Sequence, residues 1–194
     1  VAGFNQFYDE ATATKATNYA GGLDVRLKGN LTVGGEMVRR ELDSPAFLNN
    51  NAIFEDEDEW RNRAYVYWTP HDRWSVSAEA VYDKFESDNP VNTDLPLRAR
   101  TWSYPVSAHY FHPSGYFGLA GLTYVDQEIK RQTISQYADG EDDFVVTDIA
   151  VGYRLPRRQG ILSLAVQNVF DEEFDYQDDS YREFSEDATT GPYF

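Results

Sequence analysis

Residues 60–84 read WRNRAYVYWTPHDRWSVSAEAVYDK. In the second half Trp74, Val76, Ala78, Ala80 and Tyr82 fall on one face of an extended chain, and Ser75, Ser77, Glu79 and Asp83 fall on the other. In the first half Ala64, Val66 and Trp68 stand against Arg61, Arg63, Tyr65 and Tyr67. This is the period of two that belongs to a strand with one apolar and one polar face. Residues 70–73, Pro-His-Asp-Arg, form a tight polar turn between two antiparallel strands. Each strand has about 10 residues, which crosses a bilayer when tilted. Trp68 and Trp74 flank the turn on the apolar face, where an interfacial aromatic girdle lies in such proteins. The stretch predicts one hairpin of a transmembrane β-barrel.

Other segments repeat the pattern. Residues 17–27 place Tyr19, Gly21, Leu23, Val25 and Leu27 on one face, and residues 31–40 return with Leu31, Val33, Gly35 and Met37. Residues 98–111 carry Trp102, Tyr104, Val106, Ala108 and Tyr110 on one side, with Pro105 predicting a bulge because proline cannot donate to the ladder. Residues 116–128 are apolar on both faces and leave the outer face unassigned. Residues 144–155 alternate again, and 161–170 form the last clear strand. Residues 43–58, 85–97 and 132–143 are expected to be long loops, and 171–194 is acidic and unpatterned. Phe4, Phe7 and Tyr8 suggest the end of an earlier strand.

The expected short turns centre near Asn30, Asp72, Ser114 and Arg158, spaced 42, 42 and 44 residues apart. This is a repeat of architecture rather than of sequence. Short turns at one end and long loops at the other are the asymmetry of outer-membrane barrels, whose short turns face the periplasm. Charge follows the same division. Residues 43–59 hold six acids and no Lys or Arg, whereas Lys28, Arg73, Arg157 and Arg158 lie at the short turns.

The fold class expected is therefore all-β: an antiparallel up-and-down transmembrane barrel segment of about eight strands in four hairpins, forming one unit over residues 1–194. The chain enters and leaves on the long-loop side, which predicts further strands at each end and a larger barrel, because open sheet edges are not tolerated in lipid.

Composition agrees. Aromatics make up 15% of the 194 residues, with 14 Tyr, one Met and no Cys. Such strands favour sheet over helix. The absence of Cys excludes a disulfide framework and thiolate metal sites. A net charge of −16 argues against nucleic acid as a partner. No apolar run approaches the roughly 18 residues of a membrane helix, an absence compatible with a barrel, whose strands give little hydropathy signal.

Residues 162–177, LSLAVQNVFDEEFDYQ, resemble the penultimate strand of TonB-dependent outer-membrane receptors. The carrying motif is Asn168-Val169-Phe170-Asp171, with the aromatic Phe174 three residues on. The preceding DFVVTDIAVGYRL and the turn PRRQG are similar to the same family. The resemblance implies a bacterial outer-membrane receptor that imports a scarce nutrient, such as a metal chelate or another large solute. It also implies a plug domain and the TonB system as partners, although no plug and no TonB-contacting segment is visible in this chain. Residues 187–194 end in Phe194 but do not alternate as the family's closing strand does. The alternative is a plug-less pore for export of polysaccharide or protein, or a structural barrel.

No residue set demands catalysis, and the chain is read as a non-enzyme. A barrel-embedded hydrolase needs a Ser/His/acid set, and no nucleophile can be placed beside His109 from sequence. His109 and His112 are three apart, a helical rather than a strand spacing for metal ligands. Arg61, Arg63, Tyr65, Tyr67, Glu79 and Asp83 are expected to line the lumen, either as paired charges in a wet interior or as a substrate path. The acidic loops, with Asp56, Asp58, Asp142 and Asp143, are candidates for Ca²⁺ or Mg²⁺ and, through such ions, for lipopolysaccharide; neither has the ordered spacing of a calcium loop. Trp60, Trp68, Trp74 and Trp102 are expected girdle residues, and outer-membrane lipid is the expected surrounding. Asn168 is expected to make hydrogen bonds at a strand end.

Overall fold

The computed structural model describes residues 13–49, 51–88, 91, 96–135 and 138–175. Period-two alternation is realised as eight strands: β1 (Lys15–Leu27), β2 (Leu31–Leu48), β3 (Asn51–His71), β4 (Trp74–Ser87), β5 (Pro96–Phe111), β6 (Tyr116–Arg131), β7 (Gly140–Arg154) and β8 (Ile161–Val166). They form one antiparallel sheet in sequence order, each strand paired with its predecessor and successor. Among the described residues β1 pairs only with β2 and β8 only with β7. The fold is an up-and-down meander of four hairpins. Phe4, Phe7, Tyr8 and the segment 187–194 lie outside the described residues.

The short turns use local chemistry suited to tight reversal. Gly29 and Asn30 take positive φ of 78° and 57° after β1. Gly115 has φ of 103°, and a Cβ there would stand 2.7 Å from the Arg154 carbonyl oxygen. The last short connection contains a 3-10 turn, Pro156–Arg158.

Register sorts the side chains into two faces. One carries, from β2 to β7 in a single row, Val33, Val66 and Ala78 with their neighbours Val106, Leu122 and Thr147; we term it the banded face. The six residues expected to line a lumen all lie on the other, polar face. Register also settles β6, where Gly118, Ala120, Leu122 and Tyr124 share the banded face with Tyr110, Ala108, Val106 and Tyr104 of β5.

Three expectations about element boundaries are corrected. Residues 43–58 are not a long loop: β2 continues to Leu48 and β3 begins at Asn51, with Asn49 at φ 52° in the turn. Asp56 and Asp58 are strand residues of β3, and Asp142 and Asp143 are strand residues of β7. Charge on both faces hides the alternation there, and partners on adjacent strands answer it. Pro105 makes no bulge. The β4–β5 ladder lapses opposite it, between Ala78↔Val106 and Val81↔Ser103, but resumes in the same register, while pairing to β6 continues through Pro105↔Thr123. Finally, β8 stops at Val166, so Asn168, Phe170 and Asp171 lie beyond the strand.

Polarity inverts along the strands. Near the short turns the banded face is apolar. Farther from them that face turns charged, and apolar residues move to the polar face. There Leu42, Val81, Phe85, Ala99, Val125, Ile129 and Phe144 are buried. Phe85 and Ile129 meet over the small Ala99, which lies between them in one register row.

Candidate functional site

The polar face of β1–β4 carries a ladder of charges and phenols. Arg63 of β3 sits directly opposite Glu36 of β2 and reaches diagonally to Glu79 of β4. Its Nε donates to Glu79 Oε2 at 2.7 Å and its Nη2 to Oε1 at 2.6 Å, a bidentate fork. Nη1 donates to Glu36 Oε1 at 3.2 Å. Tyr67 accepts from Arg63 Nη2 at 2.6 Å and donates to Glu79 Oε1 at 2.8 Å. Arg61 pairs with Asp83 through Nε at 2.7 Å and Nη2 at 3.3 Å. The Arg63 guanidinium also lies 4.7 Å from the Tyr65 ring centroid, which is 5.2 Å from the Tyr67 ring.

All six lumen candidates lie on one face, in two groups, the Arg61–Asp83 pair and the cluster around Arg63, and two residues that the sequence did not single out complete that cluster. Glu36 shares Arg63, and Asp24 of β1 accepts the Tyr65 hydroxyl. Gly34 makes the second contact possible. It lies between Asp24 and Tyr65 in register, and a Cβ there would stand 2.5 Å from the Tyr65 ring. Glycine lets the phenol lie flat across β2 to reach β1. A phenylalanine uses the same device at the other side of the sheet, where Phe117 covers Gly152. The ladder sets four carboxylates, Asp24, Glu36, Glu79 and Asp83, against two guanidinium groups, Arg61 and Arg63, with the Tyr65 and Tyr67 hydroxyls bonded among them.

Ser77, Ser107 and His109 lie on the same face. Ser77 and Ser107 are hydrogen-bonded at 2.7 Å, and Ser107 Oγ is 3.4 Å from His109 Nε2. Among the described residues no carboxylate orients the His109 ring. His112 instead caps its own turn through Ser114 at 2.6 Å.

The acidic candidates do not converge. Among the described residues no group of three or more His, Asp or Glu side chains could hold a metal ion. Asp58 takes a bidentate contact from Arg39 at 3.0 and 2.9 Å, and Glu59 takes Arg40 at 2.8 Å. Glu57 accepts from Ser44 at 2.9 Å, and the buried Glu55 accepts the backbone N–H of Val91. Asp142 accepts the N–H of Asp175 at 2.7 Å, and Asp143 stands opposite Asp126.

The Asn168 motif is a turn rather than a strand. Asn168 adopts φ 47°; its Nδ2 donates to the Glu172 carbonyl, and its Oδ1 accepts the Glu172 N–H, both at 2.9 Å. Its own N–H donates to Asp148 at 2.9 Å. Asp171 also takes positive φ, 54°, and Phe174 stacks on Phe144 with centroids 4.1 Å apart. Phe170 is exposed. The Asn168 side chain thus closes the 168–172 turn on Glu172, and its backbone N–H ties that turn to Asp148 of β7.

On the banded face two aromatic rows lie eight residues apart on four successive strands: Trp60 and Trp68, Trp74 and Tyr82, Trp102 and Tyr110, Tyr116 and Tyr124. The rings meet across strands. Near the short turns Trp74 contacts Tyr110 at 4.9 Å and Tyr116 contacts Tyr153 at 4.7 Å. In the distal row Tyr82 contacts Trp102 at 4.6 Å, Trp102 stacks with Tyr104 at 6.0 Å, and Tyr104 with Tyr124 at 6.1 Å. Between the rows the face is mainly aliphatic and bare, with Asn62 and Thr147 its polar members: Val66, Val106, Leu122, Ile149 and Val151 are each at least 40% exposed. Comparison with family models, characterised proteins and solved structures finds no match to the chain.

Proposed function

We infer that this chain is a wall of an outer-membrane β-barrel, with its banded face in lipid and its polar face toward an aqueous lumen. The observation that carries this reading is the exposed aliphatic band framed by two aromatic rows. A continuous apolar surface of this extent needs an apolar surrounding. Eight residues span about 27 Å along a strand, or about 20 Å of height at a tilt near 40°, close to the roughly 25 Å band of outer-membrane barrels. A barrel also accounts for a polar ladder on the opposite face, where water solvates paired charges.

Within that setting the chain serves uptake of a scarce solute, such as a metal chelate, in the manner of a TonB-dependent receptor. The residues around Asn168 support this assignment through the resemblance described above. The test uses the whole protein in its own cells. Outer-membrane fractionation should recover it with the outer membrane. Its deletion should lower accumulation of labelled chelates, and collapse of the proton-motive force should abolish the difference. Loss of a secreted polymer with normal chelate uptake would favour the export pore instead, and recovery in the soluble fraction would overturn the barrel.

A further inference from the structure

Along most of the sheet carboxylates answer the cations: Asp58 holds Arg39, Asp83 holds Arg61, Glu79 holds Arg63, and Glu128 holds Arg98, Arg100 and Lys130. The short-turn end differs. Its four turns, residues 28–30, 72–73, 112–115 and 155–160, contain Lys28, Arg73, Arg157 and Arg158 against one acid, Asp72, in a chain of net charge −16. Arg26 and Arg154 stand close behind, at the ends of β1 and β7. Among the described residues the side chains of Arg26, Lys28, Arg73, Arg154 and Arg157 hold no carboxylate, and all five residues are exposed. Asp24, the acid nearest Arg26 along β1, takes the Tyr65 hydroxyl.

Level and spacing say what such a rim fits. Lys28 follows Leu27, which shares a register row with Leu31 and Trp68. Arg73 adjoins Trp74, and Arg157 lies past the Tyr116–Tyr153 contact. The cations thus stand just outside the aromatic row near the short turns, the level at which headgroup phosphates meet a protein whose aromatic rows mark the bilayer boundaries. Successive turns are two strands, or about 10 Å, apart. The cations therefore do not converge on one small anion but lie along a line, as a surface of many headgroups requires. A chain this acidic is repelled by an anionic leaflet elsewhere, and basic side chains at this level supply a local attraction.

We propose that Lys28, Arg73 and Arg157 dock the short-turn end on an anionic phospholipid leaflet, each taking the phosphate of a separate headgroup. This rests on the barrel reading above. The exposed rings of Trp68, Trp74 and Tyr116 lie on the acyl side of those headgroups. Arg26 and Arg154, on the polar face, add to the same field.

The test is native mass spectrometry of the whole protein taken from micelles with equal amounts of dioleoylphosphatidylglycerol and dioleoylphosphatidylcholine. The anionic lipid should be retained at least about fivefold more, the attraction of one basic side chain to an anionic surface. K28Q/R73Q/R157Q should bring the ratio near one, and K28R/R73K/R157K should keep it. R98Q/R100Q, whose guanidinium groups already hold Glu128, should keep it too. D72N, which removes the one acid of the turns, should raise it and serves if the glutamine variant does not fold. Equal retention of the two lipids, no rise in D72N, or as large a loss in R98Q/R100Q as in the glutamine variant would each overturn the proposal. An unchanged ratio in the glutamine variant would overturn it as well and leave the rim to another partner, such as an acidic protein. Displacement by glycerol 3-phosphate as effective as by the lipid would overturn it in favour of a free anion. Tryptophan quenching by lipids brominated on their acyl chains separates the two readings. Quenching without a preference for the anionic lipid removes only the docking rim, whereas no quenching removes the barrel reading and the rim with it.

Discussion

Gly34 shows how one missing side chain organises a face. With Cβ restored, the Tyr65 ring and Asp24 Oδ1 would stand 2.5 and 2.6 Å away, so G34A must push the phenol off β2 and break its hydrogen bond to β1. The expected loss is about 1–3 kcal/mol, the ordinary cost of overpacking. Urea unfolding followed by tryptophan fluorescence would measure it. G34A should cost much less in a Y65A background than in the wild type, and an equal cost in both would show that the clash with the ring is not the cause. Side-chain direction matters equally on the other face. Val76, Ala78 and Ala80 point into the aliphatic band. On the barrel reading proposed above, V76R, A78R or A80R should each cost about 2–4 kcal/mol of membrane assembly near the bilayer midplane. S75R, on the polar face, should be tolerated. Equal damage from both kinds of variant, read as the yield of assembled protein, would show that the two faces are misassigned.

At the scale of elements, charges far apart in sequence extend the strands beyond the distal aromatic row. The β2–β3 hairpin continues outward because Arg39 and Arg40 face Asp58 and Glu59, and Ser44 meets Glu57. In the β6–β7 connection Asp139 links back to the end of β6. Asp139 accepts the N–H of Arg131 at 2.8 Å and lies 3.3 Å from Lys130. The Arg131 N–H, chiefly, holds its carboxyl below the usual carboxylate range; desolvation opposes this and the Lys130 ammonium adds to it. A lowered folded value means the contact contributes fully above the unfolded carboxylate pKa of about 3.9 and is lost as pH falls through the folded one. Cleavage within residues 132–139 by an acid-active protease should therefore rise below about pH 4. D139N should raise it already at neutral pH. A D139N profile that matches the wild type at all pH values would exclude this role.

For the whole molecule, the decisive feature is an eight-stranded sheet with two edge strands. Among the described residues β1 and β8 each have one partner, and both are exposed along their length. Unpaired N–H and C=O groups are costly in lipid and adhesive in water. The isolated 194-residue chain should therefore self-associate in detergent, as read by light scattering after size-exclusion chromatography. A monodisperse monomer with heat-modifiable electrophoretic migration would mean that β1 and β8 close on one another.

Strand identity and face were legible in the sequence wherever one face is apolar, because successive side chains of an extended chain must point to opposite sides. That local rule places Arg61, Arg63, Tyr65 and Tyr67 on one face of β3 and Glu79 and Asp83 on one face of β4, and the short turn between the two strands sets those faces side by side. It fails at residues 55–59, where both faces are charged and no periodicity survives. It also fails on β6, where both faces are apolar. Those regions were decided by tertiary structure, because their answer lies on another strand: Arg39 for Asp58, Arg40 for Glu59, and β5 for the faces of β6. The same holds for Asp24 and Glu36 in the ladder. Register across the sheet brings together residues up to dozens of positions apart, and a pattern read along one strand carries no information about register.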